Sequence, residues 1–529
     1  MDTLVRRIIS DSDERFAKNI ATFQESYGSR VAFQELNDDR LREKLWEALF
    51  LRLLDDSRSS DRYDCLSTLR ILSRDKTNLN ELITDERIDV LLDIADLKDV
   101  NSNGPTTCTN VTVEALKLLC NLIYNSTRLQ RLLPRTTTCL RCLIERMRKY
   151  DDDDSVPLEV MLFDTRIVFL ITALNVATRR IIRTELKGDE CLIKMLGNVR
   201  QRAGSRAIDH DGSTLACEVL KALFNLYINF EETEEEEKTE ELVSILYKLL
   251  LSKCKNEDEL QSNIVNLLTV IPRDRYSAIV PPTDEVHERV FEKLDMSAVA
   301  VLLKFLDERL DRNEDLIGNL SPIVTAFVKM ARAERPIRKY ARLRILPPLR
   351  DVMHRPEEGT TLRAKLCKLL TSPVTEVRDL VAEFLFILCK ENVSRMVKYT
   401  GYGNAAGMFA NKGLLGASGK KPVYSSESED SETEEYLRHR EQINPVTGCF
   451  ESPKPDPLEG MTEEQKEYEA LQLVGLVDKL TRGGLVQPCR IGNDGKPKPI
   501  EHVLELREES PEQLHGRRTS ADDSDSDSD

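Results

Sequence analysis

The chain has 529 residues, of which 40% are apolar, 32% charged and 5% aromatic, with a single tryptophan at Trp46; this is the composition of a leucine-rich helical protein. No stretch approaches the run of apolar residues needed to cross a bilayer, and Met1-Asp2-Thr3-Leu4-Val5-Arg6-Arg7 opens no apolar signal core, so a soluble intracellular protein without direct membrane insertion is expected. The net charge of −16 is a property of the tail: residues 423–470 hold 14 acids against 4 bases and residues 521–529 hold five acids and no base, which leaves residues 1–422 at −2.

Residues 1–400 read as successive amphipathic helices with apolar residues three and four apart, as in Leu66, Leu69, Leu72 and again in Leu116, Leu119, Leu122. Within these stretches Asn121, Asn175, Asn225, Asn266 and Asn319 are each followed by Leu or Val, at intervals of 54, 50, 41 and 53 residues. That spacing brackets the repeat of roughly 40–47 residues of armadillo and HEAT units once loop insertions are allowed. The expected fold is therefore all-α: an armadillo/HEAT-like α-solenoid over 1–400 whose inner face presents side-chain amides able to pair with the backbone of a bound peptide. Pairs such as Asn78-Leu79 and Asn198-Val199 also occur, so a chance origin of the pattern stays open.

The basic residues fall in two places. Arg70 and Arg74 are four apart on one helix and project from one face, spaced to clamp a carboxylate. Further on, Lys329, Arg332, Arg335, Arg338, Lys339, Arg342, Arg344 and Arg350 are opposed only by Glu334, and Arg335, Arg338 and Arg342 follow helical spacing as a cationic stripe. The alternative for both is an ordinary solvated face. Without aromatic interleaving, and in an acidic chain, they do not point to nucleic acid.

Cysteines such as Cys120, Cys217, Cys367 and Cys389 lie in apolar helical stretches, which is core packing and not a disulfide framework. Cys139 and Cys142 lack a second pair or a nearby His, so no metal site is expected. Gly416-Ala417-Ser418-Gly419-Lys420 has Leu414 and Lys421 where a phosphate-binding loop needs Gly and Ser or Thr. The six histidines are scattered. No catalytic residue, cofactor or enzyme activity is expected.

From Gly401 the composition turns to Gly, Ser, Pro and acid, and residues 401–460 are expected to be a linker. In it Ser426 precedes Glu429 by three residues and Ser431 precedes Glu434 by three, the spacing an acidophilic kinase reads; the phosphates would dock on a basic patch of the solenoid. Residues 461–484 read as an amphipathic tail helix: Thr462-Glu463-Glu464-Gln465 has capping-box spacing, Ala470, Leu473, Val477 and Leu480 share a face, and Gly483-Gly484 ends it. Residues 485–529 are expected to be a mostly disordered acidic terminus.

Several runs resemble the synembryns, cytosolic chaperones and guanine-nucleotide exchange factors for heterotrimeric G-protein α subunits, with the A-type members nearest in pattern. They are Leu69-Arg70-Ile71-Leu72-Ser73-Arg74-Asp75, Phe163-Asp164, Leu346-Pro347-Pro348-Leu349-Arg350-Asp351-Val352, Ala382-Glu383-Phe384-Leu385-Phe386 and Tyr399-Thr400-Gly401-Tyr402-Gly403-Asn404-Ala405-Ala406-Gly407. Thr433-Glu434-Glu435-Tyr436, Asn444-Pro445-Val446-Thr447-Gly448 and Glu459-Gly460-Met461-Thr462-Glu463-Glu464-Gln465-Lys466-Glu467 continue the series in order. The resemblance implies that the solenoid's concave face holds the C-terminal helix of a Gα subunit while the tail helix embraces its GTPase domain. It assigns the groove to Arg70, Arg74, Asn121, Phe163, Phe224, Arg338 and Arg342, and regulatory phosphorylation to Ser426 and Ser431. It also implies a cytoplasmic protein recruited to the cell cortex or plasma membrane through its clients. Residues 1–50, 190–215 and 491–529 match poorly, and Gly475 weakens the tail helix. The competing expectation is a generic armadillo adaptor without exchange activity; importin-type grooves, which hold basic peptides, need acidic, tryptophan-rich inner faces that this chain lacks.

Overall fold

The computed structural model describes residues 1–500 apart from 11–12, 38–39, 99–108, 134–136, 152–155, 229–235, 313, 416–432, 453–457, 459 and 493. It divides into two compact units, Met1–Phe305 and Leu306–Asp529. The first contains α1 (Asp2–Ser10), α2 (Asp13–Tyr27), α3 (Leu41–Leu54), α4 (Arg62–Leu72), α5 (Asp85–Ile94), α6 (Asn110–Asn125), α7 (Thr137–Arg148), α8 (Leu158–Leu174), α9 (Gly188–Ala203), α10 (His210–Tyr227), α11 (Glu236–Leu250) and α12 (Glu257–Leu268).

These helices form two layers. In one, α2, α4, α6, α8, α10 and α12 pack side by side in chain order; in the other, α3 touches α5, α7 touches α9 and α9 touches α11. Across the layers each helix packs on its sequence neighbour, α3 on α4, α5 on α6, α7 on α8, α9 on α10 and α11 on α12. This is a solenoid of helix pairs, in which each pair buries its apolar face only by stacking on the next. The expected apolar stripes lie inside: Leu66, Leu69, Leu72, Leu116, Leu119 and Leu122 are all buried.

Local chemistry sets the helix starts. Thr109 and Thr112 form a capping box at α6, and the Asp209 carboxylate accepts the Gly212 N–H at 2.7 Å at α10, in each case satisfying amides that have no partner within the helix. At α9 the chain passes so close to its neighbours that a Cβ on Gly188 would lie 2.6 Å from Ile182 Cγ2, so a larger residue there would force the isoleucine to shift.

The division between the units falls within α13 (Ser297–Leu310). The second unit continues with α14 (Leu316–Ala333), α15 (Arg335–Ile345), α16 (Leu362–Leu369), α17 (Thr375–Leu388), α18 (Val393–Thr400) and α19 (Tyr402–Lys412). Its centre is α14 against α17, where the Phe327 and Phe384 rings stack 5.5 Å apart.

Part of the stretch expected to be linker is folded. α19 packs on α17 and α18. Residues 433–451 form a short helix, Glu434–His439, and a two-stranded ladder of β1 (Ile443–Asn444) with β2 (Cys449–Phe450). They attach to the unit through backbone groups: Tyr402 and Gly403 donate to Pro445 O and Val446 O at 2.8 and 2.9 Å, and Phe450 donates to Val352 O at 2.7 Å. Thr433 Oγ1 also donates to Leu349 O.

The tail helix α20 (Glu463–Arg482) starts at the expected Thr462–Gln465 capping box and runs through Gly475 without a break. None of its residues is buried, and Leu471, Leu473, Val474 and Leu476 are exposed. Among the described residues no helix is long and apolar enough to cross a membrane.

Candidate functional site

Three adjacent helices of the first unit meet at a hollow of about 450 Å³. It is lined by Arg70 on α4, Lys117, Cys120, Asn121 and Tyr124 on α6, and Phe163, Arg166 and Leu170 on α8. Arg70, Asn121 and Phe163, all singled out from sequence, are thus brought together.

Asn121 is half-used. Its amide donates to Arg70 O at 3.2 Å and to Ser73 Oγ at 3.3 Å, and the Ser73 hydroxyl itself donates to Arg70 O. The last turn of α4 is therefore stitched to α6, while the Asn121 Oδ1 carries no hydrogen bond among the described residues and stays available as an acceptor at the hollow. The stitch recurs between α8 and α10, where Asn225 donates to Phe169 O and Thr172 Oγ1, both at 3.1 Å, and Thr172 Oγ1 donates to Phe169 O. The other asparagines of the series do different work. Asn175 caps the helix Val176–Arg180, Asn319 accepts from Arg309 at 2.6 Å, and the side chain of Asn266 makes no hydrogen bond among the described residues.

The charges around the hollow form a second repeated pattern that sequence reading missed. Glu114 stands two turns before Asn121 on the same face of α6. Its side chain is 2% exposed and accepts the Arg70 Nε, on an arginine 28% exposed. The two terminal nitrogens of Arg70 carry no hydrogen bond among the described residues. Lys117 lies 3.8 Å from Glu114 and 3.6 Å from Glu159, and 5.3 Å from the centre of the Phe163 ring. The Arg166 guanidinium stands over the same ring at 5.5 Å, so Phe163 sits between two cations and is attracted to both.

Glu218 on α10, 4% exposed, repeats the role of Glu114: it accepts Arg166 NH2 at 2.6 Å and Lys221 Nζ at 2.8 Å, and Arg166 is 37% exposed. Burial pushes the Glu218 carboxyl up, but the hydrogen bonds from Arg166 and Lys221 outweigh it and hold the pKa below the usual glutamate value. The bond to Glu218 in turn raises that of Arg166. The signal was present in the chain, because Glu114-Ala115-Leu116-Lys117-Leu118-Leu119-Cys120-Asn121-Leu122 and Glu218-Val219-Leu220-Lys221-Ala222-Leu223-Phe224-Asn225-Leu226 share Glu, Lys and Asn at the same three positions.

Arg74 is placed elsewhere. Its NH1 donates to Gly28 O and, at 3.3 Å, to Arg30 O, closing the C-terminal end of α2. It meets backbone carbonyls, not a carboxylate, and burial followed by repulsion from Arg70 lowers its pKa. Phe224 is half-buried on α10 beside Asn225 and does not line the hollow.

In the second unit the expected stripe divides. Arg335 is exposed, while Arg338 and Arg342 are 8% and 5% exposed. Arg338 donates to Ala331 O at 2.8 Å, closing the end of α14, and Arg342 lies against Tyr399, donating to its hydroxyl at 3.4 Å. Lys390 is held beside them, and burial together with Arg395, Arg342, Lys339 and Arg338 lowers its pKa. Ser426 and Ser431 lie outside the described residues.

Comparison with known proteins settles the kinship. Residues 65–496 match the family described as guanine nucleotide exchange factor synembryn. The chain belongs to the synembryn family. It is 39% identical to Chaperone Ric-8A of Xenopus laevis over 100% of both chains, and 38% identical to that of Xenopus tropicalis over 95% of this chain and 96% of the relative. It is 34% identical to Chaperone Ric-8 of Drosophila melanogaster over 96% and 98%. An engineered protein of solved structure aligns over 80% of this chain and 85% of its own at 17% identity and a TM-score of 0.49; the fold class rests on the helices themselves. Several synembryn-like runs are structural here. Asp164 is fully buried, accepting from Arg146 at 2.6 and 2.7 Å and from Tyr150, and Gly448, at φ 71°, packs so close that a Cβ would lie 2.8 Å from Pro356 Cγ.

Proposed function

We propose that this synembryn-family protein is a chaperone for nascent G-protein α subunits and a non-receptor guanine-nucleotide exchange factor. It binds the Gα C-terminal helix at the α4–α6–α8 hollow through Arg70, Asn121 and Phe163, with Arg74 and Phe224 shaping the flanks; Arg338 and Arg342 are assigned to client binding on the second unit by itself. α20 grips the GTPase domain with its exposed apolar face. An acidophilic kinase modifies Ser426 and Ser431, and the protein works in the cytoplasm, reaching the cell cortex through its clients.

The observation that carries this reading is the hollow, which presents guanidinium N–H groups of Arg70 and Arg166 and the Asn121 Oδ1 without partners among the described residues, in a chain that shares its family with named Ric-8 chaperones. Such a surface suits a peptide that brings carboxylate and backbone groups together. No side-chain catalysis is required. A protein that binds nucleotide-free Gα more tightly than GDP-bound Gα must weaken GDP binding by the same factor, and the same grip covers apolar surface on a half-folded GTPase. Charge reversal of Arg70 to Glu tests the assignment: binding of a Gα C-terminal peptide, read by fluorescence anisotropy, is expected to be lost. Wild-type affinity in that variant would remove the groove from this reading.

A further inference from the structure

The Glu-x-x-Lys-x-x-x-Asn pattern appears at 114–121 and again at 218–225. Each time it places a nearly inaccessible glutamate against an arginine of the adjacent helix, Arg70 in one case and Arg166 in the other. A glutamate so buried cannot itself meet a partner. What it does is fix the guanidinium: of each arginine's donors, Glu114 takes the Arg70 Nε alone and Glu218, which also accepts from Lys221, takes the Arg166 NH2 alone. The other nitrogens of both arginines have no hydrogen bond among the described residues, and both side chains line the hollow. A planar guanidinium offers five donors in a rigid fork, so one edge can be held while another stays open to a second acceptor.

We propose that Glu114 and Glu218 are positioning residues, which hold Arg70 and Arg166 by one edge so that the other edge meets a carboxylate of the bound chain. The inference rests on the function proposed above and adds the residues that make its arginines selective for an acidic segment. An arginine already ordered before binding loses less freedom when the partner arrives. The sign of the effect separates positioning from charge. Removing a carboxylate from beside an anion-binding group favours the anion by Coulomb's law, so a glutamate that merely opposed the arginine would, on neutralisation, leave binding tighter.

The test uses the full chain and a labelled Gα C-terminal peptide. Glu114→Gln is expected to weaken binding about tenfold, and in an Arg70→Ala background the same change is expected to have no further effect, because the two residues act as one unit. Glu218→Gln with Arg166→Ala forms the second cycle, and thermal melts report whether each variant folds. A structural defect alone would cost affinity equally in both backgrounds. Arg70→Lys retains the charge at a part-exposed position but cannot divide a planar fork between two acceptors, and is expected to fall within about twofold of Arg70→Ala. Unchanged or tighter binding by the Gln variants, additive cycles, or wild-type affinity in Arg70→Lys would overturn the inference while leaving the groove intact. Absence of peptide binding by the unmodified chain would overturn the proposed function, and this inference with it.

Discussion

Glu218 links the hollow to the stability of the fold. The carboxylate is buried between Arg166 and Lys221, and its pKa in the folded chain lies below the ordinary value of about 4.3 because the charged form is hydrogen-bonded there. A depressed carboxylate pKa stabilises the folded state fully above the unfolded pKa, and this contribution disappears as pH falls through the folded one. Glu218→Gln should therefore cost stability at neutral pH and flatten the loss below about pH 4. Denaturant unfolding at pH 7 and at successively lower pH measures both; equal acid sensitivity in wild type and variant would show that the bridge contributes nothing. Arg74 and Arg338 teach the complementary lesson, since each closes a helix end through backbone carbonyls. From sequence, arginines four apart look like a clamp. Whether one serves a ligand or its own fold depends on which carbonyl the folded chain brings within reach, more than forty residues away for Arg74 and seven for Arg338, which the spacing of the arginines does not contain.

At the scale of elements, much was legible where periodicity and capping act locally. The Leu66, Leu69, Leu72 and Leu116, Leu119, Leu122 stripes are core, and the Thr462–Gln465 box starts α20. Within the asparagine series, Asn121 and Asn225 stitch neighbouring helices through a Ser or Thr hydroxyl together with a carbonyl, while Asn175 reaches a lone carbonyl, Gln130 O, at 3.4 Å. The folded part of 433–451 was not legible: its ladder has two residues per strand, and its attachment runs through backbone groups and the Thr433 hydroxyl, which leave no hydrophobic signature. This placement gives the acidic tract a fixed end at Thr433, just after Ser426 and Ser431. If phosphorylation of the two serines engages arginines of the second unit, each phosphate adds close to two charges and strong acceptors within a short tether. Ser426→Ala with Ser431→Ala should then weaken client binding by up to about tenfold relative to the kinase-treated chain. Calorimetry on both forms decides it, and equal affinities would exclude the docking.

For the molecule as a whole, exchange and chaperoning in the proposed function follow from one preference. α20 exposes Leu471, Leu473, Val474 and Leu476 on a helix with no buried residue, so its apolar face contributes stability only when something covers it, which in the proposed function is the client. The first unit offers a polar, cationic hollow. A client gripped by both is held at its terminal helix and over apolar surface, a combination best met by a GTPase whose terminal helix has left its own domain. In the proposed mechanism GDP favours the closed GTPase and this protein the open one, so the two ligands oppose each other through the client alone. The factor by which the protein lowers GDP affinity must then equal the factor by which GDP lowers affinity for the protein. Titrating GDP into a preformed complex, and separately measuring GDP affinity at saturating protein, gives the two factors independently. They are expected to agree, with a coupling of roughly ten- to a hundredfold, and loss of the Arg70 contact should reduce both together. A variant that lost peptide binding yet released GDP at the unmodified rate would place the source of exchange outside the hollow.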